Sequence, residues 1–188
     1  MRDADEFQPE QEPELLLRTF YPASAAELAL DLSRVTSLFY GLLLQVAGER
    51  LGKHAVDAMS RELFYRLGGL KAQATRDQHA RDYPFRGDVR DLVTVLIAAI
   101  YNASPEYVFH VERYTAELCS VRLDGVDRYY RAARELGLVE QLRWPTLHPF
   151  FEGIRDQLGI TCEVESQLLS VDATSQLSVR YTFRAGPA

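Results

Sequence analysis

The chain has 188 residues, 47% of them hydrophobic and 11% aromatic, which is enough for one domain with a full core and excludes a disordered polymer. Its formal net charge of −6 excludes the broadly basic footprint that a nucleic-acid backbone requires. Two cysteines make no disulfide framework and no zinc spacing, and the longest apolar run, Leu92 to Tyr101, is too short for a bilayer.

Residues 1–22 carry Asp3, Asp5, Glu6, Glu10, Glu12 and Glu14 together with Pro9 and Pro13, which reads as an acidic, solvated, mobile tail without the apolar core of a secretory signal. The remainder, 23–188, reads as a single domain. Ser24 and Glu27 have capping-box spacing, so a helix starts there. Leu28, Leu32, Val35, Phe39, Leu42 and Val46 fall on one of its faces, and Leu38 and Leu43 widen that face toward burial on more than one side. Gly52 ends or bends this helix. A second follows through Val56, Met59, Leu63, Leu67 and Leu70, weakened in its second half by Gly68 and Gly69. Residues 76–88, with Pro84 and Gly87, read as a loop. Asp88 then caps a third helix that is apolar on almost every side and therefore central.

From Glu106 the period becomes two: Tyr107, Phe109 and Val111 alternate with Val108, His110 and Glu112, and the phase is lost near Arg113 and Tyr114. Asp124 is read as the start of a helix through Val126, Tyr129, Tyr130, Ala133 and Leu136. Pro149 and Gly159 bracket the next helix as first-turn residue and C-terminal cap. Two closing strands follow, Ile160 to Ser170 and Gln176 to Arg184, the second with Leu177, Val179, Tyr181 and Phe183 on one face. The expected order is three helices, a strand, two helices and a hairpin. This predicts an α+β fold, helical in its N-terminal half, with an antiparallel sheet and a C-terminal β-hairpin.

The segment with Gly153, Leu158-Gly159, Glu165, Asp172 and the run Leu177 to Phe183 resembles the 4-vinyl reductase domain and the related TRAPP trafficking subunits, and Leu38-Phe39-Tyr40-Gly41 is similar to the TRAPP N-terminal helices. Phe109-His110-Val111 and the segment near Cys119 resemble bacterial proteins related to the hydrolase of 2-aminothiazoline-4-carboxylate. The resemblance spans roughly residues 24–184 and implies helix-mediated pairing of subunits. Metal-binding vinyl-reductase members place thiolates where this chain has Leu168 and Ser175, and the usual Gly-Asp turn is replaced by Val171 to Thr174. The resemblance therefore implies no zinc here.

Several residue groups carry candidate chemistry. His110, Glu112 and Tyr114 stand at i, i+2 and i+4, so a straight strand would present all three on one face. They could orient a polar group there, although a half-polar sheet face is the commoner reading. Cys119 is a candidate nucleophile for an enzyme in which His110 serves as base. Free cysteines, Cys162 included, more often pack as small core residues. Glu163 and Glu165 share a strand face as a pair of carboxylates, which are far more often solvated. His54, His79 and His148 lack ligand spacing. Tyr129, Tyr130, Trp144, Phe150 and Phe151 form the densest aromatic group, suited to lining a pocket or building a core.

These readings combine into a cytoplasmic domain that binds a small, mostly apolar molecule through His110, Glu112, Tyr114, Tyr129, Trp144 and Phe150, with no metal and no cofactor. The expected partner is a second copy or a related subunit meeting the N-terminal helices. The alternatives are a hydrolase or lyase acting on a small heterocyclic or thiol-bearing compound through His110 and Cys119, and an assembly subunit without a ligand.

Overall fold

A computed structural model of the chain describes residues 22, 24–79, 81–101 and 106–186. Apart from Pro22, the tail expected over 1–22 lies outside the described residues. Among them the order is α1 (Ala25–Leu51), α2 (Lys53–His79), α3 (Val89–Tyr101), β1 (Tyr107–Tyr114), β2 (Leu118–Val126), α4 (Arg128–Glu135), a short 3-10 turn (Val139–Gln141), α5 (His148–Leu158), β3 (Cys162–Val171) and β4 (Gln176–Ala185). The four strands form one antiparallel sheet in the order β1-β2-β4-β3. The α+β expectation, with its helical N-terminal half and C-terminal hairpin, holds.

Local chemistry explains the boundaries. The Ser24 hydroxyl accepts the Glu27 N–H at 3.2 Å and caps α1. Gly159, at φ 69°, closes α5 in the left-handed conformation that helix ends favour. The second helix runs on to His79, past the loop boundary expected at residue 76. The segment that follows is stitched to α3 by Asp91, whose buried carboxylate accepts the N–H groups of Arg86 and Gly87 and the Tyr83 hydroxyl. At the final turn the Asp172 carboxylate accepts the N–H groups of Thr174 and Gln176.

One element differs from expectation. Asp124 does not open a helix; it lies in β2, where it accepts the Ser178 hydroxyl at 2.6 Å. After Thr115 the chain returns as β2, with Cys119, Val121 and Leu123 on the core face and paired with both β1 and β4. The helix begins three residues later, where Asp127 accepts the Tyr130 N–H at 2.8 Å. The strand wins because its alternating side chains fill the middle of the sheet.

Helices α3 and α5 cover one face of the sheet. Phe151 of α5 packs edge-on against Tyr181 and Phe183 of β4, with ring centroids at 4.2 and 5.9 Å. Helices α1, α2 and α4 form the flank of the domain.

The two longest helices bury a face different from the one their bulky residues mark. In α1 the inward residues are Ser33, Ser37, Gly41, Leu44 and Ala47. The stripe Leu28, Leu32, Val35, Phe39, Leu42 and Val46 points outward instead. In α2 the inward residues are Val56, Ser60, Phe64, Gly68 and Ala72, while Leu63, Leu67 and Leu70 are exposed. Small residues let the helix axes approach closely, so the small-residue side goes in and the large one is left at the surface.

Candidate functional site

The strand residues expected to converge do not share one face. A β-bulge between Val111 and Arg113 inserts an extra residue at Glu112. His110, opposite Arg122, and Glu112 remain on the outer face of the sheet. Tyr114, opposite Cys119, turns to the core side, and its hydroxyl bonds Thr94 of α3 at 3.1 Å. There it lines a shallow apolar concavity with Ile97, Tyr101 and Val111.

On the outer face the charges neutralise one another. Glu112 accepts from Arg180 at 2.8 and 3.3 Å and from the Ser120 hydroxyl, and the Arg180 guanidinium holds its carboxyl below the usual carboxylate range. Asp124 lies 3.1 Å from His110 and 3.3 Å from Arg122. These pairs tie β1, β2 and β4 together across the outer face, and among the described residues they leave the buried Nε of Arg122 without a hydrogen bond, 3.9 Å from Glu112.

Cys119 is fully buried on the opposite face, and its thiol donates to the Thr115 carbonyl at 3.3 Å. Burial pushes the thiol up, away from the thiolate form that a nucleophile needs. The sheet stands between Cys119 and His110, so the geometry does not assemble them as nucleophile and base. Cys162 is buried and its thiol is likewise raised by burial. Glu163 and Glu165 are exposed. His148 pairs with Glu152 at 3.5 Å, and burial lowers its pKa. Among the described residues no three His, Cys, Asp or Glu side chains gather as they would to hold a metal ion, and no helix is long and apolar enough to cross a membrane.

The aromatic candidates separate in the same way. Trp144 packs on Tyr130 at 4.7 Å, and its indole N–H donates to the Val139 carbonyl at 3.1 Å. It belongs to a small second core with Leu44, Val56 and Leu138. Phe150 is packed in the main core. Of the three candidates, Tyr129 lines an open groove.

That groove lies between α1 and α2 and has a volume of about 530 Å³. Its floor is three mutually packed rings, Tyr40, Phe64 and Tyr129, with centroids 4.9 to 5.3 Å apart. Leu43, Leu63, Leu67 and Leu70 form the walls, Phe39 forms the ridge, and Thr36 and Arg66 stand at the rim. The floor is fixed from below. The Tyr40 hydroxyl is 2.6 Å from Ser60 Oγ, and burial drives its pKa well up, so it stays protonated. The Tyr129 hydroxyl accepts from Arg128 at 2.7 Å. Under the floor a further space of about 40 Å³ is bounded by Phe64, Tyr129, Tyr107, Lys71 and Phe150.

Of the residues singled out in the sequence as a site, only Tyr129 reaches this groove. Phe39, Leu43, Leu63, Leu67 and Leu70 are visible in the sequence as helical stripes, but as core. Their role as an open surface follows from which side of each helix is buried. A scan against protein-family models finds no match for the chain, and a search of curated proteins finds none either.

Proposed function

We propose that the chain is a binding domain of the 4-vinyl-reductase/TRAPP-like type for a small, mostly apolar molecule, held in the groove between α1 and α2. One observation carries this reading: a concave, almost wholly apolar surface of about 530 Å³ over a floor of three locked aromatic rings. Its volume falls in the range of roughly 300 to 1,000 Å³ typical of small-molecule sites. Affinity would come from apolar burial, at about 25 cal/mol per Å². Thr36 and Arg66 would meet a polar end of the ligand at the rim. The floor is pre-organised, because Tyr40 and Tyr129 spend their hydroxyls on Ser60 and Arg128 and need no rearrangement to receive an apolar body.

The test is native mass spectrometry of the purified chain for a retained molecule, with thermal unfolding in the presence of 1-decanol. Wild type is expected to gain stability with 1-decanol, and Leu63→Trp, which fills the groove from its wall, is expected to lose that gain while remaining folded. A folded wild type that retains nothing and shows no shift with 1-decanol overturns the reading.

A further inference from the structure

We infer that a second copy of this chain covers the outer face of α1, with the two α1 helices lying antiparallel about a twofold axis that passes between the exposed Val35 and Phe39, level with residue 37. The outer stripe Leu28, Leu32, Val35, Phe39, Leu42 and Val46 repeats at intervals of four and three, the pattern of a helix seam that packs against another helix. Every member is exposed, from 43% at Leu42 to 70% at Phe39, and Leu38 and Leu43 flank the stripe, also exposed. A single domain seldom leaves so continuous an apolar surface open to water.

The area suits a copy of the chain. These eight residues, 38% to 70% exposed, together present on the order of several hundred Å² of apolar surface, approaching the roughly 800 Å² that each partner contributes to a standard interface of about 1,600 Å². The spacing selects the orientation. The stripe is its own mirror about residue 37, so a twofold axis there brings Leu28 against Val46 of the other copy, Leu32 against Leu42, and Val35 against Phe39. Such a self-complementary patch closes as a dimer and leaves no free seam. Antiparallel pairing also opposes the two helix dipoles. Phe39 is both seam and ridge of the groove, so pairing would wall the groove's open side. The pairing itself does not depend on the groove holding a ligand.

Sedimentation equilibrium of the full chain over a dilution series tests the inference. Wild type is expected to be a reversible dimer. Val35→Glu and Leu42→Lys each place a charge at an exposed position and are expected to weaken the dimer about 100-fold or more, with the circular dichroism spectrum unchanged. Orientation is read by mixing mass-tagged Leu32→Cys and Leu42→Cys copies under mild oxidation, since both native cysteines are buried. Mixed disulfides should outrun those formed within either pool. A monomer at every concentration overturns the inference, including one whose α1 is covered by its own residues 1–21. A dimer indifferent to both charged variants, or disulfides formed mainly within each pool, also overturns it.

Discussion

Gly68 of α2 and Gly153 of α5 face one another where the two helices cross, and each is there because the other helix's backbone occupies the space of a side chain. A Cβ on Gly68 would stand 2.0 Å from the Phe150 carbonyl oxygen, and one on Gly153 would stand 2.0 Å from that of Tyr65. The crossing ties the flanking helix α2 to the helix that carries Phe151 into the sheet core, so the position of the groove wall depends on it.

Gly68→Ala and Gly153→Ala are each expected to destabilise the fold by about 3 kcal/mol, the upper part of the usual overpacking range. Neither clash involves a flexible side chain that can swing aside. Gly69→Ala is the internal control, because its Cβ would meet nothing nearer than 3.8 Å. It is expected to stabilise α2 by up to about 1 kcal/mol. Urea midpoints of the three variants check this, and equal effects at 68 and 69 would refute the close crossing.

Asp127 caps α4 while buried, and burial raises its carboxyl above the usual range. A folded pKa above the unfolded value means that the folded state holds the proton more tightly. This contribution is therefore full below about pH 3.9 and is lost as pH rises through the raised folded value. Asp127→Asn keeps an acceptor for the Tyr130 N–H without the buried charge and should remove that loss. Asp127→Ala forfeits the cap, at about 1 kcal/mol, and should be the less stable variant at neutral pH. Denaturant midpoints measured from acid to neutral pH separate the two.

Glu112 shifts the other way. Its pKa is depressed, first by the hydrogen bond from Arg180. The associated stability is present above the unfolded value of about 4.3 and is lost as pH falls through the lower folded value. Glu112→Gln is expected to flatten the acid limb of the stability profile. An unchanged acid limb would mean that the pair does not persist in solution.

Cys119 is expected to react with a thiol-specific disulfide reagent only as fast as the protein opens, because it is fully buried and burial raises its pKa. Both cysteines should become reactive together in denaturant. Rapid labelling of Cys119 in the native state would contradict its placement behind the sheet and reopen a nucleophilic role.

Much of this architecture is legible along the chain. Ser24 and Glu27 mark the start of α1, Pro149 and Gly159 bracket α5, and the alternation from Leu177 to Phe183 marks the closing strand, because capping and face periodicity act over a few neighbouring residues. β2 is harder to read. Cys119, Val121 and Leu123 do alternate, but whether that segment is a strand depends on β1 and β4, which lie far from one another in the chain.

Composition, helical stripes and turn chemistry by themselves determine an α+β chain with two long amphipathic helices and a terminal hairpin. Only tertiary packing decides where its surfaces are. Helices α1 and α2 each carry two candidate faces, and the small one is buried because Gly41, Ser60 and Gly68 allow the tighter approach. The bulge at Glu112 turns Tyr114 away from His110, and the sheet separates His110 from Cys119. Periodicity states which residues share a face, whereas contact between helices and strands distant in sequence selects which face meets water.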